Sequence, residues 1–273
     1  MSNVRLFNSF NLAMTLISAG GFLPTNSLSQ IIKTNTQETL LIFSFLIAML
    51  NVFFIFNLFS IRNFVKEHYE DIALLFLTII FTVILFFSLQ NLNFVEILIV
   101  VLSSIGNSGI AISNVPNNFS LFLLFFTIIG GSIISNTSGI KFIRVYILLK
   151  ISFIEILKLV KPNNVFNHNI FFSNKKIIKE DVSLAFLVFI SFFLCLFFLS
   201  GILTLDNINF ENSFKLSILT LTNTVNSDLY TLTNISFANL LTNSKIFLII
   251  FMIIGKIELI SFFLIIRKIF FKN

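Results

Sequence analysis

Charged residues and cysteine are scarce in this sequence of 273 residues. Only 11% of the residues are charged, 56% are hydrophobic, and the mean hydropathy is +0.99. A typical soluble domain has about 25% charged residues. This much apolar surface cannot all face inward in water, so the composition excludes a water-soluble globule and indicates a membrane protein.

The scarcity of metal-ligating and nucleophilic residues excludes several kinds of site. The single cysteine, Cys195, rules out a disulfide scaffold or a cysteine metal cluster, and His68 and His168 do not have a metal-ligand spacing. The sequence has no phosphate-binding loop, nucleophile elbow or HExxH motif, so we predict that the chain is not an enzyme. The net charge of +6 comes without a nucleic-acid reader motif, so no nucleic-acid partner is expected.

Long apolar runs predict five membrane crossings, because a spanning helix needs about 20 apolar residues. The runs that qualify are Leu40–Phe59, Ile72–Leu89, Phe119–Leu149, Val182–Leu203 and Ile246–Ile266. The third of them is interrupted by the polar run Gly130–Gly139. Three shorter runs suit re-entrant helices, which enter the membrane and return on the same side: Val4–Ile17, Phe94–Ile105 and Phe210–Leu221.

The basic residues predict the orientation of these crossings. Thirteen of the 18 basic residues lie in three segments. These are Arg62 and Lys66, the eight basic residues between positions 141 and 179, and Arg267, Lys268 and Lys272. The positive-inside rule places these segments and the carboxyl terminus in the cytoplasm. Ile151–Lys161 is either a helix on the membrane surface or an extension of the preceding helix.

A repeated pattern indicates a path for cations. The order of short apolar helix, small polar cluster and spanning helix occurs three times, with clusters at Ser18–Phe22, Ser103–Ala111 and Thr222–Ser227. Such loops are tolerated at membrane depth where they line a water-filled path. Their carbonyl oxygens can replace the hydration shell of an alkali cation, and the carboxyl end of each short helix favours a positive charge.

Four segments carry motifs of a known family. They read FNSFNLAMTLISAGGF at Phe7–Phe22, SSIGNSGIA at Ser103–Ala111, GGSIISNTSGIK at Gly130–Lys141 and MIIGKIEL at Met252–Leu259. The first two resemble pore helices and filters of the form Thr-Gly-Gly-Phe and SAFGTVGLS. The third resembles an intramembrane gate loop, GGSAGSTAGGIK, and the fourth the segment MLLGRLEI. These are motifs of the Trk/Ktr/HKT superfamily of potassium and sodium transporters, most closely of its TrkH-like potassium uptake subunits.

The resemblance implies an all-α polytopic membrane protein built from repeated helix–pore loop–helix units, with five spanning helices and three re-entrant pore helices. Residues 1–60 would hold the pore helix, filter loop and second helix of an incomplete repeat, and residues 61–150 a complete repeat with a broken inner helix. Residues 151–181 would form a basic cytoplasmic loop and residues 182–273 the complete last repeat. Because the family has four repeats, the first repeat is expected to be missing from this chain.

The resemblance also assigns site residues. The implied ion filter consists of Ala19, Gly20, Gly21, Phe22, Asn107, Ser108, Gly109, Ile110, Asn223, Thr224, Val225 and Asn226. The implied gate consists of Gly130, Gly131, Ser132, Ser135, Gly139 and Lys256. The alternatives are a helix-packing seam for Gly130–Gly139, and for Lys256 a pair with Glu258 or a snorkelling side chain. Asp206, Glu211 and Asp228 either enrich cations at the outer mouth or are solvated loop charges.

The implied function is potassium uptake across a bacterial inner membrane, with potassium at the filter as the transported ion and no cofactor. The implied partners are membrane lipid, a second copy in a homodimer, a cytoplasmic nucleotide-binding regulatory subunit and a separate chain with the missing first repeat. Val225 stands where the family filter has glycine, and a side chain makes a left-handed backbone costly there. The alternative is therefore a non-conducting transporter remnant or a membrane interaction protein.

Overall fold

The computed structural model describes residues 4–25, 27–59, 68–89, 92–113, 115–161, 164, 166–170, 175–224, 228–232, 240–257, 261 and 268. Its helices are α1 (Leu6–Ser18), α2 (Asn35–Met49), α3 (Val52–Phe59), α4 (Tyr69–Ser88), α5 (Phe94–Ile105), α6 (Ser120–Ile128), α7 (Phe142–Val160), α8 (Lys179–Leu205), α9 (Phe210–Leu221) and α10 (Thr242–Ile257). Two short strands, β1 (Ile129–Gly130) and β2 (Ile140–Lys141), pair in parallel between α6 and α7. Single 3-10 turns lie at Leu28–Gln30, Asn117–Phe119 and Asp228–Tyr230.

The helices form three similar units, each with a short helix packed against longer neighbours. α5 and α9 have the predicted bounds, and α1 differs by two residues or less from the predicted run. With 12 or 13 residues, these helices are too short to cross about 30 Å of hydrocarbon. α1 packs against α2, α5 against α2, α4 and α6, and α9 against α8 and α10. Every residue from Ile99 to Ile110 is buried, so α5 and the loop after it lie at the centre of the molecule.

Two helices in the described part of the chain, α4 and α8, are long and apolar enough to cross a bilayer by themselves. Their outward faces carry exposed large side chains, such as Phe76 and Phe87 on α4 and Leu194 on α8. An apolar face of this size suits contact with lipid, which solvates it without cost. Cys195 lies partly buried in α8 and has no disulfide partner.

The predicted span Leu40–Phe59 is not one continuous helix, because the structure divides it into α2 and α3. Leu50 is extended, with φ −81° and ψ 166°, and Asn51 follows outside either helix. The amide of Val52 donates to the carbonyl of Ile134 (3.2 Å), so a segment far away in sequence takes over hydrogen bonds that a continuous helix would make. The apolar run gave no sign of this break.

The predicted interruption of Phe119–Leu149 is present: α6 ends at Ile128 and α7 begins at Phe142. α7 then continues without a break to Val160, so Ile151–Val160 is an extension of the preceding helix and not a separate surface helix. The boundary between residues 150 and 151 therefore falls inside α7. The boundary between residues 181 and 182 falls inside α8.

Several predicted features lie outside the described residues. They are Arg62, Lys66, Val225, Asn226, Glu258, Arg267, Lys272 and, in the predicted span Ile246–Ile266, all residues after Ile257 except residue 261.

Candidate functional site

The loops after α1, α5 and α9 begin with the same backbone turn. One residue just past each helix has a left-handed conformation: Ala19 with φ 52°, Asn107 with φ 57° and Asn223 with φ 56°. The amide of each of these residues donates to a carbonyl three positions earlier, at distances of 3.1 to 3.3 Å. The turn ends each short helix and directs the following backbone away from the helix axis.

The next residue in each loop completes the turn with a second bond to a carbonyl five positions earlier. These bonds are Gly20 N to Thr15 O (3.1 Å), Ser108 N to Ser103 O (2.9 Å) and Thr224 N to Leu219 O (2.8 Å). Together the two bonds form the Schellman arrangement of helix ends. Three segments with little sequence identity thus have equivalent backbone geometry.

One further residue along, the first two loops return to positive φ, at Gly21 (74°) and Gly109 (63°). The equivalent residue of the third loop is Val225, which lies outside the described residues together with Asn226. All other predicted filter residues occupy corresponding places in the three loops. Ala19, Gly20, Gly21, Ser108, Gly109, Ile110 and Thr224 are buried, whereas Phe22 is exposed.

Two asparagine side chains attach these loops to the second helix of their own unit. Asn107 Nδ2 donates to the carbonyl oxygen of Thr127 on α6 (2.8 Å), and Asn223 Nδ2 donates to that of Met252 on α10 (2.9 Å). Asn223 Nδ2 also lies 3.4 Å from Ser138 Oγ, in the 130–141 loop. Ala19 has no side-chain amide at the equivalent place in the first loop.

The 130–141 loop, which interrupts α6–α7, is held by its own side chains. The amide of Gly131 donates to Thr137 Oγ1 (2.8 Å), and Lys141 Nζ donates to the carbonyls of Ser135 (3.1 Å) and Thr137 (2.6 Å). The predicted gate residues Gly130, Gly131, Ser132, Ser135 and Gly139 all lie in this loop.

Lys141 is counted with the cytoplasmic charges from the sequence, but in the structure it is buried. It is only 3% exposed, and its ammonium group is enclosed by the carbonyls of the 130–141 loop. A buried ammonium group needs such acceptors, because it loses its hydration on burial. Lys141 therefore stabilises the loop and gives no information on membrane orientation.

Lys256, the remaining predicted gate residue, joins two parts of the site. Its Nζ donates to the carbonyl of Ser18 at the end of α1 (2.9 Å) and to that of Asn136 in the 130–141 loop (2.7 Å). Both acceptors are backbone carbonyls of other units, so Lys256 is neither a simple packing residue nor a side chain directed away from the protein. Its alternative partner Glu258 lies outside the described residues.

Sequence reasoning missed two residues that contact the 130–141 loop or the break between α2 and α3. Glu70 Oε1 accepts a hydrogen bond from the amide of Ile133 (2.9 Å), and Asp71 Oδ1 accepts one from the amide of Asn51 (2.9 Å). Asp71 is 1% exposed. The available signal was the pair of adjacent carboxylates at the start of an apolar helix, where a charge needs a partner.

In the first half of α9, a buried lysine lies beside an exposed carboxylate. Lys215 Nζ lies 2.7 Å from Glu211 Oε1 and 3.1 Å from Thr231 Oγ1. The hydrogen bond from Lys215, and then its positive charge, hold the pKa of Glu211 below its usual range. Glu211 is thus paired with Lys215 while its side chain stays exposed to solvent, and the side chain of Asp228 lies outside the described part of the structure.

Comparison with known proteins gives a consistent assignment. The crystal structure of the potassium transporter TrkH from Vibrio parahaemolyticus is similar to this protein, with a TM-score of 0.85 and 19% sequence identity. The matched region covers 99% of this chain and 60% of the chain in that crystal structure. This likeness confirms the predicted all-α polytopic membrane fold. An uncharacterised cation transporter of Methanocaldococcus jannaschii is 27% identical over 209 residues, which are 71% of this chain and 41% of that protein.

The chain therefore spans less than two thirds of the length of either protein. Both matches are transporters and not enzymes, in agreement with the prediction that the chain is not an enzyme. Residues 98–271 match the sequence pattern of the TrkH family, which is described as a cation transport protein family. Because this match includes more than half of the residues, the chain belongs to the TrkH family of cation transport proteins.

Proposed function

We propose that the chain forms three sectors of a four-sector pore that conducts potassium ions into the cell. The observation that carries this proposal is the shared turn after α1, α5 and α9, which gives three loops that begin with the same backbone geometry and can each supply carbonyl oxygens to one filter. Carbonyl rings of this kind replace the water of a partly dehydrated alkali cation. Potassium is the chosen ion because the matching crystal structure is of a potassium transporter.

The carboxyl ends of the three short helices support the same proposal. Each helix end carries a partial negative charge, which favours a cation at the adjacent loop. The filter would consist of Ala19–Phe22, Asn107–Ile110 and Asn223–Asn226, with potassium bound there as the transported ion and no cofactor. Because no carboxylate is required at such a filter, the ion can leave as readily as it enters.

The 130–141 loop is proposed to be the gate of this pore, together with Lys256. Support comes from the position of Lys256 Nζ, which contacts both the loop carbonyl of Asn136 and the carbonyl of Ser18, directly before the first filter segment. A positive charge at that point opposes a cation electrostatically. If the loop and Lys256 moved away from Ser18 together, this positive charge would no longer oppose the cation.

A fourth sector is proposed to come from polypeptide outside residues 1–273. An apolar cleft of about 480 Å³ lies between the first filter loop and the α9–α10 unit, lined by Phe22, Leu216, Leu219, Leu248 and Met252. In a ring of four units, this is the place between the first and last units of the chain. Side chains of a fourth helix–pore loop–helix unit would pack into this cleft, and the loop of that unit would complete the filter.

The remaining partners and the location are proposed from the family resemblance. They are a second copy of the chain, a cytoplasmic nucleotide-binding subunit that contacts the basic segment after α7, and the lipid of a bacterial inner membrane, with the carboxyl terminus in the cytoplasm. The exposed Lys161, Lys175 and Lys176 support contact with a phosphate-bearing or acidic partner. Copurification from membranes and a reporter fused to the carboxyl terminus would test these points.

Growth of a bacterium that lacks potassium uptake systems tests the proposed function. The chain is expressed together with any reading frame that precedes it, and its presence in the membrane is verified by an epitope tag. We expect growth at low potassium concentration. Failure to grow, with the protein present in the membrane, would overturn the proposal.

A second candidate, a non-conducting remnant or membrane interaction protein, is favoured by Val225 at the filter position where glycine is expected. Two filter variants discriminate between the candidates. If the pore conducts, Gly21→Asp and Gly109→Asp abolish growth at low potassium and ion flux, while Gly201→Ala, near the carboxyl end of α8, leaves both unchanged. If neither filter variant changes flux, the second candidate is correct.

A further inference from the structure

Two carboxylates outside the proposed gate lie at the start of α4. Glu70 and Asp71 occupy the first turn of this helix, and the side chain of Asp71 is 2% exposed. A carboxylate that is buried at the end of a membrane helix requires hydrogen-bond donors, because water is not available to satisfy it. The identity of those donors indicates what the two residues do.

Both donors are backbone amides of other chain segments. Glu70 Oε1 accepts from the amide of Ile133 in the 130–141 loop, and Asp71 Oδ1 accepts from the amide of Asn51 in the break between α2 and α3, each at 2.9 Å. Each carboxylate therefore fixes one irregular segment to the start of α4.

The two fixed segments also bind each other. The amide of Ser132 donates to the carbonyl of Met49 (3.0 Å), and the amide of Val52 donates to the carbonyl of Ile134 (3.2 Å). A Cβ atom on Gly131 would lie 2.4 Å from the oxygen of Met49, so only glycine permits this approach. We call this arrangement the loop joint: residues 131–134, residues 49–52, Glu70 and Asp71.

Neighbouring side chains attach α3 to the same joint. His68 Nδ1 lies 3.4 Å from Asp71 Oδ2, and His68 Nε2 lies 2.7 Å from Asn57 Nδ2. The imidazole ring also contacts the edge of Phe54, with 5.0 Å between the ring centroids. The start of α4 thus binds α3 of the first unit and the 130–141 loop of its own, second unit.

We propose that Glu70 and Asp71 are positioning residues that lock the 130–141 loop to the break between α2 and α3. The loop then leaves its place only when these hydrogen bonds break, so the first and second units move together during gating. This inference rests on the proposed role of the 130–141 loop as the gate. Glu70 controls the loop directly and Asp71 controls the segment against which the loop packs.

The accessibility of the loop to a thiol reagent tests the lock without any need for ion transport. The parent chain carries Cys195→Ser and Ser132→Cys; Ser132 lies in the loop and is 0% exposed, so the reagent reaches this position only when the loop moves. Membrane vesicles are treated with a water-soluble maleimide and the rate of labelling is measured. We expect Glu70→Ala to raise the rate on the order of tenfold, because the amide of Ile133 loses its hydrogen-bond acceptor.

Three matched variants separate positioning from general damage. Glu70→Gln keeps an acceptor oxygen at the same place and should remain within about threefold of the parent rate. Glu70→Asp keeps a carboxyl group but is one methylene too short to reach Ile133, so it should behave like Glu70→Ala. It takes the place of Glu70→Ala in the test if Glu70→Ala does not fold. Glu180→Ala removes an exposed glutamate from the first turn of α8 and should leave the rate unchanged.

The outcomes distinguish the lock from the proposed function. An unchanged labelling rate in both Glu70→Ala and Glu70→Asp, or an equal increase in Glu180→Ala, would overturn the lock. If the labelling rates change as expected but no variant conducts potassium in proteoliposomes, the lock is correct and potassium conduction is wrong. If the parent conducts, Glu70→Ala should also increase its passive potassium flux.

Discussion

Asn107 donates a hydrogen bond from its side-chain Nδ2 to the carbonyl oxygen of Thr127, 2.8 Å away. The bond joins the turn after α5 to the end of α6, one residue before the chain leaves the helix. Asn223 makes the equivalent bond to Met252 on α10. In two units, the loop proposed as a filter is therefore fixed to the second helix of the same unit by a side-chain amide.

Replacement of Asn107 should separate the two contributions of this residue. Asn107→Gly removes the amide but keeps a residue that adopts φ 57°, so we expect a loss of about 1–3 kcal/mol from the unpaired buried carbonyl. Asn107→Ala should cost about 1 kcal/mol more, because a Cβ atom disfavours the left-handed conformation. Thermal unfolding in detergent measures both. Equal stability of the two variants would contradict the backbone contribution.

Gly109 and Gly201 offer a matched test of the positive φ in the second loop. Gly109 has φ 63° and is buried, whereas a Cβ atom on Gly201 in α8 would meet no atom within 4 Å. We expect Gly109→Ala to destabilise the protein by about 1–2 kcal/mol and to reduce cation flux, because the loop carbonyls must move. Gly201→Ala should be neutral or stabilising by up to about 1 kcal/mol, since alanine favours helix. A similar effect of both substitutions would show that the loop conformation is unimportant.

The parts of the fold that the sequence predicted are those set by local pattern. The bounds of α5 and α9 follow from apolar runs of the right length, and α5 also begins with a capping box in which Asn93 and Glu96 satisfy each other's amides. The polar run Gly130–Gly139 was enough to predict the interruption between α6 and α7. In each case the decisive residues are adjacent in the chain.

The parts that the sequence did not predict depend on distant contacts. The break at Leu50 and Asn51 lies in an apolar run that favours helix, and it exists because residues 132–134 replace the helical hydrogen bonds of Met49 and Val52. The burial of Lys141 likewise depends on the path of the 130–141 loop around its ammonium group. A pattern of residue types contains no information on such pairings, so hydropathy counted the first segment as one span and the lysine as a cytoplasmic charge.

Lys256 should hold the 130–141 loop near the first filter segment. Lys256→Gln removes the positive charge and cannot donate to the carbonyls of both Ser18 and Asn136 in the same geometry. We expect passive rubidium flux into proteoliposomes to rise on the order of fivefold. Lys256→Arg keeps the charge and has several donors, so its flux should stay close to that of the parent. A Lys256→Gln variant with unchanged flux would contradict a role of this residue in the gate.

The last prediction concerns Lys215 and Glu211, whose exposures differ: 5% for the lysine side chain and 72% for the glutamate. Glu211→Ala leaves a buried ammonium group with Thr231 as its remaining described partner, and we expect the Tm to fall by about 3 °C. Lys215→Met replaces the buried charge by an apolar side chain of similar length, while water solvates the exposed glutamate. Its Tm should therefore stay within about 1 °C of the parent.

The pH dependence of this pair follows from the lowered pKa of Glu211. The stabilisation from the carboxylate is fully present above the ordinary pKa of glutamate, 4.5, and is lost as the pH falls through the lowered pKa. The difference in Tm between the parent and Glu211→Ala should therefore be constant above about pH 5 and decrease in more acidic buffer. Thermal unfolding at several pH values measures it. If Lys215→Met lowers the Tm more than Glu211→Ala does, the lysine is stabilised by contacts other than the ion pair, and the predicted order is wrong.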